Sequence, residues 1–384
     1  MQPNQPLAGI RVLDLTRVLA GPYCTMILSD LGAEVVKIEH PAKGDDARQF
    51  GPLLPSGNSA YFASINRGKR SVTLDLKSDA DRETFFQLVQ RADVVVENFR
   101  PGTMDRFGVS AETLRELNAS LIVASLSGFG QTGTNRDRPA YDVVIQAMSG
   151  LMSITGNGPG DVVRVGTSIS DLLTGMYGAI AILSALNRRH ETGEGCVIDM
   201  AMLDCTVAAL ENAISRYSVT GRAPEPLGTR HPSITPFQSF DTADAPIVIA
   251  AGNDNLWKKL CDVLSAPELV DDERLATNDL RTANRDYMEE QVAARLKSAG
   301  SAGWLEQLQA AGVPCAPIRN IGEVATDEEL QARAMLHSML DDDGREFLSS
   351  GSPFRMDDAS PPLSDRAPRL GEHTDDVLRE WLEQ

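Results

Sequence analysis

The chain has 384 residues and a mass of 41.5 kDa, enough for two or three units of about 150 residues that each bury a core. Hydrophobic residues make up 42% and charged residues 23%, ordinary globular usage that excludes disordered and fibrous classes. Asp and Glu (54) outnumber Lys and Arg (36), and the net charge of -18 repels phosphate backbones, which argues against a nucleic-acid partner.

Up to about residue 130, short β-branched runs alternate with helical patterns. Strands are predicted at Ile10–Leu15, Glu34–Ile38, Ser71–Leu76, Asp93–Glu97 and Leu121–Leu126, and helices at Tyr23–Leu31, Asp79–Arg91 and Ser110–Leu117. Strands that are almost continuously apolar and separated by helices imply a parallel sheet covered on both faces, hence an α/β, Rossmann-like, doubly wound core. A helix is predicted after Tyr141, a strand at Val163–Ile169, and a helix at Asp171–Arg189 with Leu172, Met176, Ile180, Leu183 and Leu186 on one side. The Pro- and Gly-rich stretch Thr220–Pro236 reads as a linker. Beyond it the pattern predicts a strand at Ile247–Ala251, a helix at Leu256–Leu264, helix over 285–312 and a strand near Pro314–Ile318. The tail from about residue 338 mixes short strands, the Pro-rich Ser360–Pro368 and a last helix from about Thr374.

The five cysteines are odd in number and widely spaced, without a C-x-x-C pair or Cys/His metal spacing, so neither a disulfide framework nor a metal site is expected. The opening MQPNQPLAGIRVLDL lacks a basic region followed by an apolar run, and the longest apolar stretch, Gly175 to Leu186, is shorter than the ~18 residues a span needs. A cytoplasmic protein without a membrane partner is expected.

A Rossmann-like start invites a nicotinamide reading, but the first strand–helix turn is Leu19-Ala20-Gly21-Pro22, without G-x-G-x-x-G, and Pro22 removes an N–H that would face a pyrophosphate. Glu39 ends the second strand, about where a ribose-binding acid would stand. The five histidines show no ligand spacing, and Cys205 has no cation near it in sequence to make it a nucleophile. Two turns carry more. Glu97-Asn98-Phe99-Arg100-Pro101-Gly102 follows the fourth strand, at the edge where doubly wound sheets bind ligands. Gly166-Thr167-Ser168-Ile169-Ser170-Asp171 runs into a helix, and on pattern alone Asp171 is its N-cap.

Taken together, the segments resemble the class III coenzyme A transferases (CaiB/BaiF type), which include formyl-CoA:oxalate, carnitine-CoA and succinyl-CoA:dicarboxylate transferases, with α-methylacyl-CoA racemase as a relative. The resemblance rests on Gly9-Ile10-Arg11-Val12-Leu13-Asp14, Arg17-Val18-Leu19-Ala20-Gly21-Pro22, Leu31-Gly32-Ala33-Glu34-Val35, Asn66-Arg67-Gly68-Lys69-Arg70-Ser71, Val96-Glu97-Asn98-Phe99-Arg100-Pro101-Gly102 and Ser127-Gly128-Phe129-Gly130-Gln131-Thr132-Gly133. It continues through Tyr141-Asp142, Asp171-Leu172-Leu173-Thr174-Gly175, Arg230-His231-Pro232 and Gly371-Glu372-His373-Thr374, nearly the whole chain in order.

The resemblance implies that Asp171 is a catalytic nucleophile, passing through a mixed anhydride and an aspartyl-CoA thioester, with coenzyme A as substrate and product and no permanently bound cofactor. It implies that His40, Leu74, Lys77, Asn98, Phe99 and Arg106 face coenzyme A, and that Leu19, Ala20 and Tyr141 lie near the acyl group. It also implies an interlocked, ring-like homodimer of chains with a large domain at 1–200, a linker at 201–225, a small α/β domain at 226–322 and a tail at 323–384 returning to the large domain.

Among relatives, the racemase branch has a His where this chain has Tyr141, and a phenol with an unperturbed pKa of about 10 is a poor acid/base for removing an α-proton. The oxalate branch has a Gln where this chain has Leu19. The segments Arg17–Tyr23 and Tyr141–Gly156 look most like transferases that move CoA from succinyl-CoA to C4–C6 dicarboxylates. An acyl-CoA racemase, an acyl-CoA hydrolase and a silent CoA-binding protein stay open as alternatives.

Overall fold

The structure, a computed structural model, describes residues 5–383; residues 1–4 and 384, the ends of the expected first and last segments, lie outside the described residues. The chain divides into two compact units. The larger runs up to Leu151 and takes in Arg164–Gly221 and the chain from Asp327, while the smaller comprises Met152–Val163 and Arg222–Thr326.

The larger unit is built on a sheet of β1 (Arg11–Asp14), β2 (Glu34–Glu39), β3 (Arg70–Thr73), β4 (Val94–Glu97), β5 (Ile122–Ser127) and an edge strand, Cys196–Ala201. The order is β3-β2-β1-β4-β5-edge, and all neighbours are parallel. Alternate residues serve opposite faces, as the pleat requires. Leu13, Val36 and Val95 pack on one side with Phe85, Leu88 and Val89 of α3 (Asp79–Val89) and with Val377 and Trp381 of the last helix, Thr374–Leu382. Val12, Val94, Val96 and Ile122 pack on the other with Cys24 and Leu28 of α1 (Ala20–Asp30) and Ala179 and Ile182 of α7 (Ile169–Thr192). The near-continuous apolar runs are therefore buried on both faces. The chain departs from β1 in one direction and from β4 in the other, so the loops after these two strands open a crevice at the carboxyl edge.

Helices α2 (Ala60–Asn66), α4 (Thr103–Arg106), α5 (Ala111–Leu117) and α6 (Asp142–Met148) complete the site-bearing part. Small residues set the approach of α7 to α1 and β5: a Cβ on Gly175 would lie 2.8 Å from the Ala20 carbonyl oxygen, and one on Gly178 3.0 Å from Leu126 Cδ2 of β5. The first turn of α7 is thus brought against the start of α1. At 24 residues α7 is long and apolar enough, by length and composition, to cross a membrane, and it outlasts the apolar stretch Gly175 to Leu186 because polar residues continue it at both ends. Here one side of it is core and the other exposes Met176, Tyr177 and Ile180.

Three predicted elements change. Val163–Ile169 forms no strand: only Asp161–Val162 pairs, with Gly156–Gly158, and the Val165 N–H is taken by the Gln146 side chain instead of a ladder. The expected linker 201–225 contains two helices, Met202–Ala208 and Ala213–Thr220, because Met202, Cys205 and Thr206 have a core to face. The helix expected over 285–312 is two, Arg285–Leu296 and Ser301–Ala310, with Gly300 as the N-cap of the second. In the smaller unit these helices and Asp254–Val263 pack through Trp257, Leu260, Met288, Val292, Leu296 and Leu308 on an antiparallel sheet of Cys315–Pro317, Pro246–Ala250 and Phe237–Asp241.

Candidate active site

The crevice at the sheet edge contains a cavity of about 420 Å³ lined by the loop after β1 (Arg17, Val18, Leu19, Ala20), the loop after β4 (Asn98, Phe99, Arg100), Arg136, Arg138, Tyr141 and Asp171. Stretches far apart in the chain converge there. A second cavity, of about 230 Å³, is lined by His40, Lys43, Leu74, Asp75, Lys77, Phe99 and Phe107. Phe99 borders both, and its ring meets Phe107 edge-on at 5.9 Å. A further cavity of about 360 Å³, between α2 and the tail, is a seam in which Asp342 already binds Asn58 and Arg369.

Asp171 is not the N-cap. Ser168 holds that position, and Asp171 is the third residue of α7. The Ser170 N–H donates instead to Asp142 Oδ1 at 2.9 Å, Asp142 Oδ2 accepts from Gln146 Nε2 at 2.7 Å, and Gln146 Oε1 accepts the Val165 N–H at 2.9 Å. This relay from α6 does the capping work and fixes the loop entering α7. Among the described residues, no hydrogen bond or ion pair reaches the Asp171 carboxylate. Burial, with the negative Asp142 close by, pushes it up to about 7. A half-buried carboxylate without a donor, at the mouth of a cavity, is costly for folding and useful for chemistry.

Of the residues expected at the acyl group, Leu19, Ala20 and Tyr141 line the Asp171 cavity, and Tyr141 is 75% exposed. His40, Leu74 and Lys77 line the second cavity, and His40 Nε2 stands 3.9 Å from Asp75 Oδ2. Asn98 borders the first cavity, yet its amide is committed to backbone: Oδ1 accepts the Arg17 N–H and Nδ2 donates to the Arg17 carbonyl, both at 2.8 Å. Arg106 lines neither cavity and donates to Thr103 Oγ1 at 2.6 Å. Glu39 borders the second cavity, but its carboxylate is already committed, accepting from Arg48, Ser71 and the Asp45 N–H.

The site belongs to a family. The chain matches the family described as CoA-transferase family III over residues 7–374. It is 47% identical to an acetyl-CoA:oxalate CoA-transferase of Acetobacter aceti, over 87% of this chain and 86% of that one. It is 42% identical to a succinyl-CoA:mesaconate CoA-transferase of Haloarcula hispanica, over 97% and 96%. A crystal structure of a CAIB/BAIF family protein from Brucella suis superimposes with a TM-score of 0.86 at 40% identity, covering 98% of this chain and all of that one. The chain belongs to CoA-transferase family III. It is accordingly an enzyme acting on CoA thioesters, and the nicotinamide reading, already weakened by Pro22, falls away.

As a family III chain it also carries site features that the sequence reading missed. Tyr61 of α2 packs with Val18, Leu19 and Leu172, and burial together with the charge of Asp171 pushes its hydroxyl up to about 12. Below the loop after β1 lies a buried network. Asp14 Oδ2 meets Lys69 Nζ at 2.9 Å and accepts from Thr25 at 2.7 Å, while Lys37 Nζ meets Asp45 Oδ2 at 2.9 Å. A charge set inside an apolar strand pattern, such as Lys37 within Glu34-Val35-Val36-Lys37-Ile38-Glu39, is the signal that could have found it.

Proposed function

We propose that this enzyme moves coenzyme A from succinyl-CoA, or a similar short acyl-CoA, to a small dicarboxylate, with C4–C6 acids as acceptors and Asp171 as nucleophile. One observation carries the reading: the Asp171 carboxylate is withdrawn from water, has no donor among the described residues, and opens onto the cavity bordered by Leu19, Ala20 and Tyr141. Positioning and partial desolvation are what a weak carboxylate nucleophile needs, together with exclusion of water from an anhydride.

In the proposed sequence, an Asp171 oxygen attacks the thioester carbonyl, the C–S bond breaks, and CoA leaves as thiolate, forming a mixed anhydride. The thiolate attacks the aspartyl carbonyl, releases the donor acid, and leaves Asp171 as a CoA thioester. The acceptor carboxylate then runs both steps in reverse. No net proton or electron is exchanged. The nucleotide end would lie along His40, Leu74, Lys77 and Phe99, with Asn98 holding the adjoining loop and Arg106 beside it. Arg17, Arg100, Arg136 and Arg138 around the Asp171 cavity suit a pyrophosphate and the far carboxylate of a diacid, and Arg17 already pairs with Asp46. Relatives named for oxalate and for mesaconate share the diacid as acceptor type.

A second copy of the chain would cover the exposed Met176, Tyr177 and Ile180 of α7, forming the interlocked dimer. Mass-spectrometric product analysis across CoA donors and carboxylic acids tests the reading. CoA should appear on dicarboxylates such as mesaconate and glutarate. Equal use of monocarboxylates of the same length would overturn the specificity, and release of free CoA regardless of acceptor would make the chain a hydrolase.

A further inference from the structure

The loop after β1 is held in a conformation it would not adopt alone. Val18 has φ of 69°, the left-handed region, where a β-branched side chain crowds its own backbone. Such strain persists only where the surroundings over-determine it, and it clusters at functional sites. Here the surroundings can be named. The Val18 N–H donates to Asp45 Oδ1 at 3.0 Å, and the same oxygen accepts the Ala47 N–H at 2.9 Å. Asp45 Oδ2 pairs with Lys37 Nζ at 2.9 Å, with both side chains fully buried. Lys37 Nζ also donates to the Thr16 carbonyl at 2.7 Å. One buried ion pair therefore grips the loop on both sides of Arg17, and Asn98 fixes Arg17 itself from β4. The next residues are Leu19 and Ala20, at the Asp171 cavity, with Leu19 packed beside Leu172 and Tyr61.

We infer that Asp45, acting with Lys37, is a positioning residue for CoA transfer: it clamps the strained Arg17–Leu19 turn so that Leu19 and Ala20 hold the acyl carbon in line with Asp171. Asp45 does not line the Asp171 cavity and reaches it through the turn, and its other side borders the second cavity. Burial works to raise its carboxyl, and Lys37 with the Ala47 and Val18 N–H groups outweighs burial and holds it below its ordinary value, so the clamp stays charged. A group that aligns the reacting atoms shows itself in turnover more than in donor binding. The inference rests on the proposed role of Asp171.

The test compares the intact enzyme with Asp45→Asn, Asp45→Ala, Asp45→Ala/Val18→Gly and Lys37→Met/Asp45→Ala. The last removes both charges together, so no unpaired buried ion threatens folding. Amide hydrogen exchange over residues 16–20, measured without substrate, reads the clamp whether or not Asp171 is the nucleophile. We expect exchange there to rise at least about tenfold in Lys37→Met/Asp45→Ala while the sheet stays protected. Turnover should fall about tenfold or more with donor KM within about twofold. Asp45→Asn, which keeps an acceptor for the Val18 N–H, should retain turnover within about threefold. Asp45→Ala/Val18→Gly should turn over at least about threefold faster than Asp45→Ala, because glycine adopts the turn without strain. Unchanged exchange at 16–20, or raised exchange with unchanged turnover, overturns the clamp. So does loss of turnover that merely follows loss of stability equally in the Asn and Ala variants.

Discussion

Asp14 and Asp171 are both carboxylates withdrawn from water, and the two regions that hold them treat burial in opposite ways. Asp14, at the end of β1, accepts from Thr16, Thr25 and Lys69. Burial alone would raise it, but Lys69 and Lys37 outweigh burial and hold it far below the usual carboxylate range. Asp171, in the first turn of α7, has Asp142 nearby and no donor among the described residues, and rises to about 7. The same burial thus yields a permanent anion where cations are built in, and a titrating, unsatisfied group where they are withheld. The first arrangement serves the fold, and the second leaves a reactive group for a substrate to satisfy.

The sharpest way to break this contrast is Asp171→Asn. Transfer should fall by at least ~10³, a barrier increase of roughly 4 kcal/mol, while folding and CoA affinity survive. Asp171→Glu should fail as well, since one methylene moves the attacking oxygen by about 1 Å. Mass spectrometry of the enzyme incubated with acyl-CoA and hydroxylamine should find this carboxylate modified in wild type. An Asn variant that keeps more than about a tenth of transfer removes Asp171 from the chemistry.

Next in size is the opposite region. Asp14→Asn leaves the buried Lys69 without its carboxylate and should lower unfolding free energy by about 3–5 kcal/mol in urea titrations. A neutral result would show that the network does not hold the fold.

The pH dependences should have opposite signs. Asp171 is raised in the folded chain, so the folded state binds more protons from about 4 to about 7, and its contribution to stability declines as pH rises through that window. Asp14 is depressed, so its contribution is present above its ordinary 3.8 and lost on further acidification. Asp171→Asn should therefore gain stability relative to wild type between pH 4 and 8, by on the order of 1 kcal/mol or more. Activity should move the other way, because only the anion attacks. The kcat/KM for the acyl-CoA donor should rise about tenfold per pH unit below pH 7 and then level. A flat profile between pH 5 and 8 would mean that ionisation of Asp171 does not limit the reaction.

The smallest effect sharpens the map of the nucleotide end. Lys77 lines the second cavity and Arg106 does not, so Lys77→Ala should raise donor KM by about tenfold, as loss of a charged hydrogen bond does, and Arg106→Ala by less than about twofold. Reversal of that order would place the phosphates beside α4.

Much of this was legible in the chain itself. The parallel sheet followed from strands such as Val94–Val96, apolar without alternation, because a strand covered on both faces has no solvent side to mark. Ordered motifs pointed to Asp171, although local pattern alone made it a helix cap. What remained hidden involves partners far apart in sequence. Ser168 takes the cap because Asp142, 28 residues before Ser170, supplies the acceptor that Asp171 would otherwise have been. Val163–Ile169 reads as a strand by its β-branched residues and becomes a loop because Gln146 binds its backbone. Propensity and periodicity are properties of neighbours along the chain, so they determine which segments are strands and helices and which faces are buried. Whether a buried charge is matched or left alone depends on which strands lie side by side, and only the folded sheet brings Asp14 to Lys69 and leaves Asp171 unpaired.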